Sequence, residues 1–243
     1  MLFANSLVDG FLASNLTGQG IVWVQLIGSV VMVAVIIGKW KELSFINMTV
    51  RRFIRDFTTS HDVLDYYLDR RPSKEATGLV GIYAKSCERL LKLLAPDARA
   101  WLAGRGGAEG GGASAALTAR EIELVKGTCE HALDEEELRV ERGMGVIATV
   151  VALSPMLGLL GTVWGVLDAF AEMGTAGSAN LAAIAPSISA ALVTTVVGLL
   201  IAIPGVVCFN LMNAHIRNIT SDMEGFADEL LGRIACEFQG RAD

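Results

Sequence analysis

GMGVIATVVALSPMLGLLGTVWGVL (residues 143–167), followed shortly by LAAIAPSISAALVTTVVGLLIAIPGVVCFN (residues 181–210), is the stretch that decides how this chain folds. The first run carries no formal charge, and the second lies within an uncharged interval from Met173 to Ala214. A helix of about 20 apolar residues is long enough to cross a bilayer. The connection EMGTAGSANL (172–181) is short and rich in Gly, Ser and Asn, which predicts a tight link rather than a folded loop. Two membrane helices joined this way are antiparallel neighbours, so the stretch reads as a membrane-embedded helical hairpin.

The rest of the chain fits a membrane protein with a soluble portion. It has 243 residues, 52% of them hydrophobic, and a mean hydropathy of +0.48, well above an ordinary soluble domain. A net charge of −6 gives no reason to expect a nucleic-acid partner. Cys87, Cys129, Cys208 and Cys236 are scattered without a CxxC spacing, so neither a metal site nor a disulfide framework is expected. His61, His131 and His215 stand apart from any nucleophile or ligand-spaced acid, and no enzyme chemistry is expected.

Working outward, residues 1–19 hold one acid, Asp9, and no base. They lack the positive start of a cleavable signal and read as an interfacial, periplasmic segment. Residues 20–38 form a first span, flanked by Trp23 at one end and Lys39-Trp40-Lys41 at the other, the usual anchors at headgroup level. Residues 39–142 read as a soluble helical domain containing a Gly-rich linker at 104–112. Within it, Val50–Phe57, Asp62–Asp69 and Glu75–Leu94 are amphipathic pieces, the last two parted by Arg70-Arg71-Pro72. Thr118-Ala-Arg-Glu121 has the form of a capping box, and nothing before Phe170 obviously stops the helix it starts. The second span covers 143–171, a periplasmic loop 172–181, the third span 182–210 and a helical tail 211–243. In the tail, Ile219, Met223, Phe226, Leu230, Ile234 and Phe238 form one helical stripe that calls for a partner, and 39–142 is the available one.

Basic residues set the orientation. Of the 20 Lys and Arg, seventeen lie from Lys39 to Arg142, and the other three are Arg217, Arg233 and Arg241 in the tail. By the positive-inside rule both segments are cytoplasmic and the N-terminus is periplasmic. The expected fold is thus all-α, with three transmembrane helices and long cytoplasmic helical extensions.

Inside the hairpin, Gly158, Gly161 and Gly165 on one arm and Ala190, Thr194, Gly198 and Ala202 on the other recur at three- or four-residue spacing. Small residues so placed let membrane helices approach closely. Pro155, Pro186 and Pro204 each remove a backbone donor and mark expected helix breaks, tolerated where the freed carbonyls are buried in protein or face water. Thr162, Thr194 and Thr195 can each be inert, since a membrane threonine usually bonds back to a carbonyl of its own helix. On the third span Thr195 shares a face with Ser187 and Ala191, adjacent to the Thr194 packing stripe. Asp168, six residues beyond Thr162, is either an interfacial acid in contact with water or an outer group that collects protons.

PMLGLLGTVWGVLDAF (155–170) followed by IAPSISAALVTTVVGLLIAIPGV (184–206) resembles the signature of the ExbB/TolQ branch of the MotA/TolQ/ExbB proton-channel family. The resemblance implies a bacterial inner-membrane homo-oligomer, a pentamer, that surrounds spans of an ExbD/TolR-like partner. Proton entry through it drives a TonB-like or TolA-like protein, with protons as the coupling ion and no other cofactor. The family's pore threonines fall on Thr162 and Thr195. A glutamate common in its third span is replaced here by Ala190, so a carboxylate titrating at mid-membrane would come from the partner. Nutrient import and envelope maintenance both remain open as outputs. A purely structural membrane scaffold is the alternative class. A flagellar stator subunit, whose relatives have four spans, is disfavoured by the three found here.

Overall fold

The computed structural model describes residues 11, 16–59, 63–64, 67, 77–94, 116–176 and 181–238. Five helices account for nearly all of them: α1 (Leu16–Thr59), α2 (Leu79–Leu93), α3 (Ala119–Glu141), α4 (Met144–Ala176) and α5 (Leu181–Phe238). No strand occurs among the described residues. Three stretches, within α1, from α3 through α4, and within α5, are long and apolar enough to cross a membrane. Apart from Phe11, the N-terminal segment before Leu16, the Gly-rich linker 104–112 and the Arg70-Arg71-Pro72 break lie outside the described residues.

Three differences from the sequence reading concern where helices start and stop. The capping box forms in full, with the Thr118 hydroxyl accepting from the Glu121 N–H and the Glu121 carboxylate accepting from the Thr118 N–H. The helix it starts does not continue to Phe170. It ends at Glu141, Arg142 is extended, and Gly143 takes φ +91°, a left-handed conformation that only glycine adopts without steric cost. A new helix begins at Met144. In the opposite sense, α1 contains no proline and runs without interruption from Leu16 to Thr59, so Val50–Phe57 continues the first span rather than forming a separate piece. The connection between the hairpin arms is also shorter than 172–181, since α4 extends to Ala176 and α5 begins at Leu181.

The three prolines do not break their helices either. Pro155 lies within continuous α4, and Pro186 and Pro204 within continuous α5. Each withdraws one N–H from the ladder while neighbouring turns hold the helix.

The chain divides into two compact units. The first comprises Met1–Lys41 with Gly143–Asn213. In it α1 runs antiparallel to α4, with Gln25 beside Ser154 and Gly28 beside Val150, and parallel to α5, with Met32 beside Gly205. Its surface inverts that of a soluble domain. Val30, Ile37, Met156, Leu159, Val163, Phe170, Leu200 and Ile203 are exposed, whereas Gln25, Ser154 and Thr194 are buried. An apolar exterior this extensive needs lipid or protein around it.

The second unit comprises Glu42–Arg142 with Ala214–Asp243. Its core is aromatic: Phe57 meets Phe226 at 5.0 Å and Tyr83 at 5.7 Å between ring centroids, both edge to face, a favourable arrangement of ring quadrupoles. The Arg233 guanidinium lies 4.7 Å from the Phe57 ring centre. The tail stripe finds the partner it called for, with Ile219, Met223, Phe226, Leu230, Ile234 and Phe238 all buried. The Phe238 carbonyl also accepts from the Leu117 N–H at 2.7 Å. Buried Tyr83 donates its hydroxyl hydrogen to the Val63 carbonyl and accepts from the Tyr67 N–H, so its polar tip is satisfied.

Candidate functional site

The site is built where α4 and α5 cross within the first unit. The glycines set the spacing. A Cβ on Gly158 would lie 2.8 Å from the Thr195 Cα and 3.1 Å from the Thr194 carbonyl oxygen, and one on Gly161 would collide with the Thr194 side chain. A Cβ on Gly165 would meet Ala191 in the same way. The two backbones are therefore in direct contact, as small-residue spacing predicts for membrane helices. Only glycine allows this approach on the α4 side.

That proximity brings two hydroxyls to one carbonyl. Thr195 donates to the Gly158 carbonyl at 2.8 Å, and the single Thr194 O–H is shared between its own-helix Ala191 carbonyl at 2.7 Å and the same Gly158 oxygen at 3.2 Å. Thr194 is only 1% exposed, whereas Thr195 is half-buried. Thr194 thus sits in the packing seam with buried Ala190 and Ala202, and Thr195 lies at its edge. Thr162, also half-buried, donates to the Leu159 carbonyl of its own helix at 2.8 Å. The structure brings Thr195 to the level of Gly158, one helical turn along α4 from Thr162, rather than to Thr162 itself. Ala191, on the Thr195 face by sequence, packs against Gly165, so the two faces of α5 merge at this contact.

Toward the other end of the hairpin, Asp168 lines a cavity of about 20 Å³ with Ser187, Gly161, Gly165, Ala190 and Thr194. This is room for a single water molecule. Ser187 donates to the Glu172 carboxylate at 3.4 Å, and Asp168 is half-buried. Among the described residues of the hairpin, Asp168 and Glu172 are the only carboxylates, and the rest of its polar lining is hydroxyls and backbone carbonyls.

A polar residue of the first span joins this site. Gln25, 1% exposed, donates its side-chain N–H groups to the Ser154 carbonyl at 3.0 Å and the Thr194 carbonyl at 3.4 Å. Gly198 makes room for it, since a Cβ there would lie 2.9 Å from the Gln25 Nε2. Ser154 donates its hydroxyl to the Val150 carbonyl at 2.7 Å. The apolar run of the first span holds only Gln25 and Ser29 as polar side chains, so the sequence gives it little apparent part in a polar site. The available signal was the reverse of scarcity: a lone amide in an apolar span is costly to bury unless it is bonded.

Residues 109–225 match the MotA/TolQ/ExbB proton channel family. The chain is 37% identical over 108 residues to the biopolymer transport protein ExbB of Xanthomonas campestris pv. campestris, covering 44% of this chain and 43% of that protein. It is 40% identical over 98 residues to the Tol-Pal system protein TolQ of Pseudomonas aeruginosa, covering 40% and 42%. A third relative, the biopolymer transport protein ExbB of Neisseria gonorrhoeae, is 38% identical over 96 residues, covering 40% and 44%. The chain thus spans less than half the length of these curated relatives. Over residues 109–225, which hold the whole of the glycine–threonine crossing, the chain is similar to the MotA/TolQ/ExbB proton channel family, and the relatives it resembles there are ExbB and TolQ proteins.

Proposed function

We propose that the chain is the proton-channel subunit of an energy-transducing motor in the bacterial inner membrane. In this reading several copies, five by family resemblance, surround the spans of an ExbD/TolR-like protein, and proton entry drives a TonB-like or TolA-like protein. The N-terminus and the link between α4 and α5 are periplasmic; the second compact unit is cytoplasmic. The observation that carries the reading is Thr195. Its hydroxyl lies at the edge of the α4–α5 seam, half-buried, in a stretch without charge from Met173 to Ala214.

A hydroxyl can donate to an ionised carboxylate and accept from a protonated one, so it serves both halves of a proton cycle without titrating. With Ala190 at the position of the family glutamate, the titrating carboxylate belongs to the partner. Each proton moving through 100 mV delivers about 2.3 kcal/mol, enough to bias one mechanical step. Asp168 and Ser187, beside the small cavity, form the periplasmic approach.

The test is proton flux into liposomes holding the chain alone or together with its ExbD/TolR-like partner, under an imposed potential. Flux that requires both proteins is the expected result. Absence of flux from the assembled pair, with output in cells also independent of the proton gradient, would leave the scaffold reading in its place.

A further inference from the structure

We infer that Gln25 is a positioning residue: the first span, through one buried amide, holds the Thr194–Thr195 turn in the orientation that coupling requires. This rests on the coupling role proposed above for Thr195, but the geometry behind it is independent of that role. The Gln25 Nε2 bonds carbonyls on two different helices, Ser154 on α4 and Thr194 on α5. Each of these carbonyls lies four residues before a seam glycine, Gly158 or Gly198, and so faces that glycine's N–H in the helical ladder. Gly158 in turn accepts from both threonines. The result is a closed circuit through three helices, from Gln25 to Ser154, along one turn to Gly158, across to the threonines, and back through the Thr194 carbonyl.

The second observation is what Gln25 leaves undone. Its Oε1 is buried and has no hydrogen-bond partner. The amide cannot be turned round to cure this, because the oxygen would then face the Ser154 and Thr194 carbonyls. A half-satisfied amide is a poor way to stabilise an apolar helix contact, since an apolar side chain of similar volume would fill the site without an orphaned acceptor. What the amide supplies and a methionine cannot is a fixed angle between the three helices at the threonine turn.

The experiment uses the full chain with its partner in liposomes and three forms of residue 25: Gln, Gln25→Met, which keeps the volume and removes the donors, and Gln25→Glu. Two quantities are read: the Cβ chemical shifts of Thr194 and Thr195 by solid-state NMR, and proton flux per assembled oligomer. Gln25→Met is expected to assemble, to move both threonine shifts, and to lower flux about tenfold or more, since misplacing an acting group by about 1 Å has effects of that order or larger.

Gln25→Glu provides the rescue. No acidic or basic residue of this chain occurs in 16–38, 143–167 or 173–213, so the introduced carboxyl is this chain's own titrating group at the crossing, beside the partner carboxylate of the proposed cycle and with Asp168 and Glu172 towards one end; its effect is read as the difference from the unaltered complex at the same pH. Protonated, its single O–H replaces the shorter of the two amide donations, to the Ser154 carbonyl, and moves the shifts and the flux back towards those of the unaltered chain; ionised, it has no donor. Unmoved threonine shifts in Gln25→Met, or shifts in Gln25→Glu that ignore its protonation, would overturn the positioning role whatever the flux. Shifts that move as expected while even the unaltered complex carries no flux would uphold positioning and refute the coupling role instead.

Discussion

Replacing Thr195 by valine removes one hydroxyl while keeping the branched shape, and the structure allows both consequences to be sized. The lost bond is the 2.8 Å donation to the Gly158 carbonyl. Side-chain hydrogen bonds between membrane helices average about 0.6 kcal/mol and reach about 1.7 kcal/mol. The carbonyl that loses it keeps the 3.2 Å bond from Thr194, so the lower end of that range applies. A loss of about 0.6 kcal/mol is a factor of roughly three in a folding or association constant, and assembled protein is therefore expected at close to the unaltered level. Proton-coupled work is expected to fall far more, by about tenfold or beyond, if the hydroxyl serves the partner's carboxylate as proposed above. The assay measures oligomer yield after detergent extraction and energised output in the same cells, with output expressed per oligomer. Output per oligomer that stays at the unaltered level in Thr195→Val would refute the reasoning, as would a fall in output that merely follows a fall in yield.

Gly158→Ala has the opposite signature: its Cβ would lie 2.8 Å from the Thr195 Cα, so the helices must part, at about 1–3 kcal/mol, and thermal unfolding in detergent should show the loss. Single cysteines at Asn15 and Ala179 are expected to react with an impermeant maleimide from the periplasm, and one at Gly110 only from the cytoplasm; labelling of Gly110 from outside would reverse the orientation. Thr118→Ala removes the cap of α3 and should cost about 1 kcal/mol in the stability of the second unit. At the same cap, hydrogen bonds from the Thr118 backbone and hydroxyl hold the Glu121 carboxyl below its ordinary range. Its contribution to stability is therefore present above the ordinary carboxyl pKa and lost as pH falls through the lowered one, and Glu121→Gln should flatten that acid limb of the stability profile.

Much of this protein follows from the order of residues along the chain. Uncharged runs of spanning length, their anchors and the small-residue spacing of the hairpin are local patterns, and local patterns set helices in or out of lipid because every backbone group there must be satisfied within its own segment. The capping box at Thr118 and the buried stripe from Ile219 to Phe238 are legible for the same reason. Helix ends were less so. The stop at Arg142–Gly143 depends on one residue adopting φ +91°, and the passage of helices through Pro155, Pro186 and Pro204 depends on neighbouring turns that a one-dimensional reading does not weigh. Which polar groups meet was decided by tertiary structure alone. Nothing in the sequence links Gln25 to Ser154, 129 positions away, or sends the Thr194 and Thr195 hydroxyls to the same carbonyl. Those contacts come from the absence of side chains at Gly158, Gly161 and Gly198: once the backbones touch, carbonyls of one helix fall within reach of donors on another, and such distances exist only after the three helices have packed.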